Sequence, residues 1–156
     1  YQLEQKPFHR LRLNCWFDRS FLFYAEYNIR LFFHLLFTKY DIINANDLDT
    51  IFPAVWAAKI KGIKVVYDAH EYFTEQEEVV NRPNVKRFWK TIERFAIPRV
   101  DAAYTVSKGY AKLFKEEYKV DFGIVRNATI LRELPKNCDK SVPYILYQGA
   151  VNYGRG

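Results

Sequence analysis

Val65-Val66-Tyr67-Asp68-Ala69-His70-Glu71 runs two β-branched residues and a tyrosine straight into an acid, a histidine and a second acid. The pattern is that of a buried parallel strand ending in a polar tip. In open α/β sheets, ligands bind in the crevice outside the carboxyl ends of the strands. A histidine there can exchange protons near neutral pH or hydrogen-bond a substrate hydroxyl. A helix-capping cluster or a satisfied loop histidine would give the same letters, and the segment alone leaves both readings open.

The flanking sequence sets this strand in a repeating order. Residues 41–45 form a short strand, and Asp49 or Thr50 is placed to cap the helix that follows. Pro53 falls near that helix's first turn, where proline is tolerated, and Gly62 is placed to stop it. Strand 63–67 leads to a loop over 72–83. A helix over about 84–97 buries Val85, Phe88, Trp89, Ile92, Phe95 and Ala96 on one face and sets Lys86, Lys90 and Arg94 on the other. Strand 101–106 runs to Ser107, a good helix cap, with a helix to about Tyr118 and a strand over 122–126. Strands alternating with helices predict an α/β fold, a Rossmann-like, mostly parallel sheet with helices on both faces.

Two N-terminal segments read differently. Leu11, Leu13 and Cys15 alternate with Arg10, Arg12 and Asn14, as in a half-exposed strand over 9–15. Residues 20–37 read as a helix of unusual apolarity, with Glu26, Arg30 and His34 on one narrow stripe. Such a helix is either buried or lies against lipid. Two charges and a histidine in its middle argue against a membrane span.

At 156 residues and 49% hydrophobic content, the chain is long and apolar enough for one α/β domain with a core. Cys15 and Cys138 lie far apart and make no metal pattern or disulfide framework, which fits a reducing compartment. Asn127-Ala128-Thr129 matches a glycosylation sequon, read here as chance because no secretory signal accompanies it. Net charge is +6, unevenly spread. Asp68, Glu71, Glu75, Glu77 and Glu78 form an acidic stretch. Arg82, Lys86, Arg87, Lys90, Arg94 and Arg99 follow with Glu93 as the one acid between them. Basic excess points to nucleic acid, an anionic membrane or a phosphorylated ligand. No nucleic-acid-binding signature accompanies it, so no nucleic-acid partner is expected.

The strand ends supply the candidate site: Asn46 and Asp47, then Asp68, His70 and Glu71, then Ser107, then Asn127. Neighbouring parallel strands would gather them along one rim. Ser107 reads as a cap before it reads as a nucleophile, since no base stands beside it. After strand 144–147, residues Gly149 to Gly156 hold three glycines and Arg155. Glycines let backbone amides approach an anion, and arginine offers a fixed fork to phosphate oxygens. Asp68-Ala69-His70 also matches an Asp-x-His metal unit, but the other histidines, His9 and His34, precede it and no further ligand motif follows. No metal site is expected.

The segments 44–50, 65–72, 104–107, 125–127 and 147–156 come in an order that resembles glycosyltransferase family 4, over most of the chain from about residue 20 onward. The resemblance implies one half of a GT-B architecture, two Rossmann-like domains facing across a cleft. Residues 1–126 would be the acceptor-side domain, 127–143 a linker, and 144–156 the first strand and glycine-rich loop of the donor-side domain. Both ends read as cut. A first strand with a glycine-containing loop and a donor-side pair of glutamates, usual in the family, would lie outside the chain, so these residues alone are expected to be inactive.

The implied activity is retaining transfer of a sugar from a nucleotide-diphosphate sugar to a glycan or lipid-linked acceptor in glycan or polysaccharide biosynthesis. The enzyme would be of hexosyltransferase type, with no cofactor beyond the sugar nucleotide. His70 and Glu71 would lie at the catalytic centre, and Asp47, Ser107 and Asn127 on the acceptor side. Gly149, Asn152, Gly154 and Arg155 would hold the donor diphosphate. A cytoplasmic location, peripheral on an anionic membrane face, is expected. Two other readings stay open: a non-catalytic module binding a nucleotide or a membrane partner, and a sugar-nucleotide epimerase of the same architecture.

Overall fold

Burial alternates along each central strand, and that alternation defines the sheet. Ile43 and Ala45, then Val65, Tyr67 and Ala69, then Ala103 and Thr105 are buried, while the residues between them face outward or lie half-buried. The computed structural model describes residues 7–128. Its elements are α1 (Ser20–Phe37), β1 (Ile42–Asn46), α2 (Leu48–Lys61), β2 (Lys64–Ala69), α3 (Glu77–Val80), α4 (Pro83–Ala96), β3 (Ala102–Thr105), α5 (Lys108–Tyr118) and β4 (Gly123–Ile124). Single 3₁₀ turns occupy Phe73–Glu75 and Ile97–Arg99.

The four strands lie in the order β1-β2-β3-β4, and every pairing is parallel. Asn46 stands opposite Asp68, and Asp68 opposite Tyr104. Sequential order with right-handed crossovers places α2, α4 and α5 on one face. That face buries Leu48, Ile51, Val55, Trp89, Ile97 and Phe114 against the sheet's inward residues. Each such side chain contributes roughly 1.5–3 kcal/mol by leaving water. The opposite face carries Asn44 exposed and Asp68 and Tyr104 half-buried.

Gly62 ends α2 in the left-handed conformation at φ 66°, as its place in the sequence predicts. The start of α2 differs from expectation. Neither Asp49 nor Thr50 caps it: Asp47 holds the cap position, and Pro53 falls deeper in the helix and is buried. The Thr50 hydroxyl instead donates to the Asn46 carbonyl at 2.7 Å.

Residues 9–15 form no strand. Leu11 and Leu13 instead line a groove of about 340 Å³ with Tyr27, Leu31, Leu35 and Ile42, Leu13 half-buried and Leu11 still exposed. The Glu26 carboxylate accepts the backbone N–H groups of Trp16 at 2.8 Å and Phe17 at 3.0 Å, and pairs with Arg30 at 2.7 Å. These bonds tie the chain just after the segment to α1.

The apolar helix is also not buried. α1 packs along α2, yet none of its residues is fully enclosed, and Phe21, Leu22, Ile29, Phe33 and Phe37 are exposed. No helix of the described residues is long and apolar enough to cross a membrane.

Candidate functional site

Parallel pairing brings the ends of β1, β2 and β3 to one rim, and the polar residues there are bonded to one another. Asp47 follows β1 directly. Its backbone N–H donates to the Asp68 carbonyl at 2.9 Å, and its Oδ1 accepts the His70 N–H at 3.0 Å. Asp47 adopts φ 60° and ψ 170°, a region that glycine alone enters easily. Strain there costs on the order of 1–3 kcal/mol and persists only where surrounding bonds over-determine the backbone. The bonds to Asp68 and His70 supply that constraint.

His70 lies one residue past β2, on the same side of the sheet as Asp68. Its Nε2 stands 3.0 Å from Asp68 Oδ2. A carboxylate only accepts, so this contact places the proton on Nε2. The Tyr104 hydroxyl donates to the same Asp68 oxygen at 3.0 Å, across from β3. Burial and then that bond push the Tyr104 phenol above its ordinary value, while a side-chain hydrogen bond with Asn44 acts the other way. A row of side chains from Asn44 through Tyr104 and Asp68 to His70 thus crosses three strands. Asp49, half-buried behind the rim, has its carboxyl raised by burial and then by the neighbouring charge of Asp47.

The structure brings Asp47 and His70 together directly. Glu71 is exposed beside them. Ser107 follows β3 and caps α5, its Oγ accepting the Tyr110 N–H at 3.2 Å. Asn127 lies exposed beyond β4, whose register against β3 continues in a bond from Val125 N–H to the Thr105 carbonyl at 2.9 Å. Gly149, Asn152, Gly154 and Arg155, the expected diphosphate-binding group, lie outside the described residues, as do the end of the expected linker and strand 144–147.

Sequence reading gave Asp68 a place on the rim but no role, and missed Tyr104. The register pairs these two residues. Aligning the two parallel strands at their polar tips would have set Tyr104 within one position of Asp68.

The basic side of α4 is also not what its spacing predicts. Lys86 pairs with Glu75 at 2.8 Å, and Lys90 reaches Glu117 at 2.8 Å and Glu93 at 3.1 Å. Val85 and Phe88, expected on the buried face, are partly exposed. Arg87 and Arg94 remain on the surface.

The family model for Glycosyltransferase Family 4 matches residues 2–128. That span covers most of the chain, and the chain belongs to this family. It is a glycosyltransferase domain with the Rossmann-like sheet expected of a GT-B half. Searches of curated proteins and of solved structures return no match.

Proposed function

We propose that this domain is the acceptor-side half of a retaining glycosyltransferase. The enzyme moves a sugar, of hexose type, from a nucleotide-diphosphate sugar to a glycan or lipid-linked acceptor. One observation carries the reading: at the carboxyl rim of the sheet, Asp47 and Asp68 hold His70 by its backbone and its ring, inside a domain of this family. The alternative of a helix-capping cluster is weaker, because the Asp47 side chain makes no cap bond to α2 and is engaged with His70 instead.

In this reading His70 stands beside the transferred sugar, oriented by Asp68. Asp47, Glu71, Ser107 and Asn127 orient acceptor hydroxyls. The acceptor oxygen bonds the anomeric carbon as the bond from that carbon to the diphosphate breaks, and the acceptor hydroxyl's proton passes to the departing diphosphate oxygen. Charge that develops on the leaving diphosphate is met by fixed positive groups and backbone amides, which act best in a preorganised site. Gly149, Asn152, Gly154 and Arg155 take that task. No resident cofactor or metal is part of the proposal. The enzyme works in the cytoplasm at an anionic membrane face; the membrane contact, though not the compartment, is supported by the exposed apolar side chains of α1 and by Arg87 and Arg94.

The test is an assay of the intact protein against a panel of sugar nucleotides, with the product's anomeric configuration read by NMR. Transfer with retention is expected, and none from residues 1–156 alone. Inversion would remove the retaining mechanism. Full turnover by residues 1–156 would remove the two-domain division of labour.

A further inference from the structure

Behind the rim, a network of charges and hydroxyls, buried at Glu93 and open to solvent at Glu117, ends on the residues that follow His70 and Glu71. Glu93 on α4 is fully buried. Its Oε2 accepts the Tyr118 hydroxyl at 2.6 Å and the Thr74 hydroxyl at 3.2 Å, and lies 3.1 Å from Lys90 Nζ. Lys90 Nζ also donates to both Glu117 oxygens, at 2.9 Å and 2.8 Å, and lies over the rings of Tyr72 and Tyr118. The Tyr72 hydroxyl donates to Glu117 Oε2 at 2.5 Å, and its ring packs on Tyr110 and Phe114 of α5.

We infer that Lys90 and Glu93 are positioning residues for the His70–Glu71 turn, acting through Tyr72 and Thr74. The inference rests on the transferase reading for what the turn does, but not for how it is held. Tyr72 is the next residue after Glu71, and its ring, hydroxyl and cation contacts all come from α4 and α5. Thr74 is tied to Glu93 itself. The turn is therefore held at its leading side by Asp47 and Asp68 and at its trailing side by this network.

Stability alone does not account for such an arrangement. A buried ion pair regains little over an apolar pair of similar volume, because both charges must leave water. Glu93 adds to the cost, since its Oε1 is buried without a hydrogen-bond partner among the described residues. What the network supplies is direction: a bidentate contact, a short hydroxyl contact and a cation over two rings fix Tyr72 in one place.

The test uses the intact protein carrying Lys90→Met with Glu93→Leu, which removes both charges together and leaves Glu117 able to meet water. The melting temperature should fall by no more than a few degrees, because the desolvation cost of the two charges goes while the buried Thr74 and Tyr118 hydroxyls lose their acceptor. Amide hydrogen exchange at His70 to Thr74 should accelerate at least tenfold, and kcat should fall about tenfold with the donor KM within twofold. Should the double variant fold poorly, Tyr72→Phe replaces it: the ring stays, the hydroxyl contact goes, and exchange at the same amides should rise at least threefold. Unchanged exchange in a folded variant overturns the anchoring. Faster exchange with unchanged kcat overturns the positioning role. Exchange is read without turnover, so a protein that transfers no sugar removes the transferase reading and leaves the anchoring to be decided by exchange alone.

Discussion

Asp47 is held in a backbone conformation that an aspartate avoids, at φ 60° and ψ 170°, while its carboxylate accepts the His70 N–H. Two opposed terms follow. Asp47→Gly removes strain of about 1–3 kcal/mol. It also removes a hydrogen bond to a charged group, a loss of about 1.5–3 kcal/mol. The two nearly cancel, so the variant should melt within a few degrees of the parent. Turnover of the intact protein should nevertheless fall at least tenfold, because His70 loses its backbone anchor. A large drop in melting temperature with full activity would show Asp47 to be structural. This strain was not legible in the sequence. An Asn-Asp pair after a short strand reads equally as a cap, and only the pairing of β1 with β2 shows where the carboxylate goes.

At the scale of elements, legibility followed contact range. α1, α5 and the Ser107 cap depend on residues within a few positions, and the sequence placed them where the structure has them. Segment 9–15 failed because its alternation needs a neighbouring strand to become a ladder, and the segment lies beside α1 instead, with Leu11 left exposed. The polar side of α4 failed for the same reason: Lys90 meets Glu117 on a later helix, so its spacing on α4 says nothing of its burial.

Charge contacts between elements also set the acid response. Hydrogen bonds from Lys64 and the Val65 N–H, together with the Lys64 charge, hold the Asp101 carboxyl below its ordinary value, tying β2 to the start of β3. Burial would raise Glu117, but its bonds with Lys90 and Tyr72 outweigh that and hold it below. A carboxyl lowered in the folded state binds its proton more readily when unfolded. Its stabilisation is thus complete above the unfolded value of about 4 and is lost as pH falls through the lower folded value. Asp101→Asn should therefore flatten the acid limb of a melting-temperature profile while costing stability at neutral pH. An unchanged acid limb would mean these contacts carry no differential stability.

The described residues present a parallel sheet with a polar rim, and apart from it α1, whose large apolar side chains stay exposed. Phe21 is 60% exposed and Phe37 81% exposed, well beyond what packing against α2 requires. Arg87 and Arg94 replace the Lys86–Lys90 row as the cations of α4 that can meet a surface, each contributing about 1 kcal/mol near an anionic leaflet. Intact protein should co-sediment with anionic vesicles but not neutral ones, and salt should weaken the binding. Arg87→Glu with Arg94→Glu should abolish it while activity on a soluble acceptor analogue persists. Equal binding to neutral vesicles, or none to anionic ones, would reject the basic surface.

The rim was legible in the sequence because parallel strands end in step, so Asp47, Asp68 and His70 converge once the strand order is known. The bonds among them were not, since they depend on register. The claim that this rim is the acceptor side of a transferase is tested most directly by His70→Ala in the intact protein. Sugar transfer and the thermal melt are measured side by side. The account predicts turnover at least about 100-fold lower, as for a positioned hydrogen-bonding or proton-transfer group, with the melt little changed. Turnover within twofold of the parent, in a protein that folds normally, would contradict it.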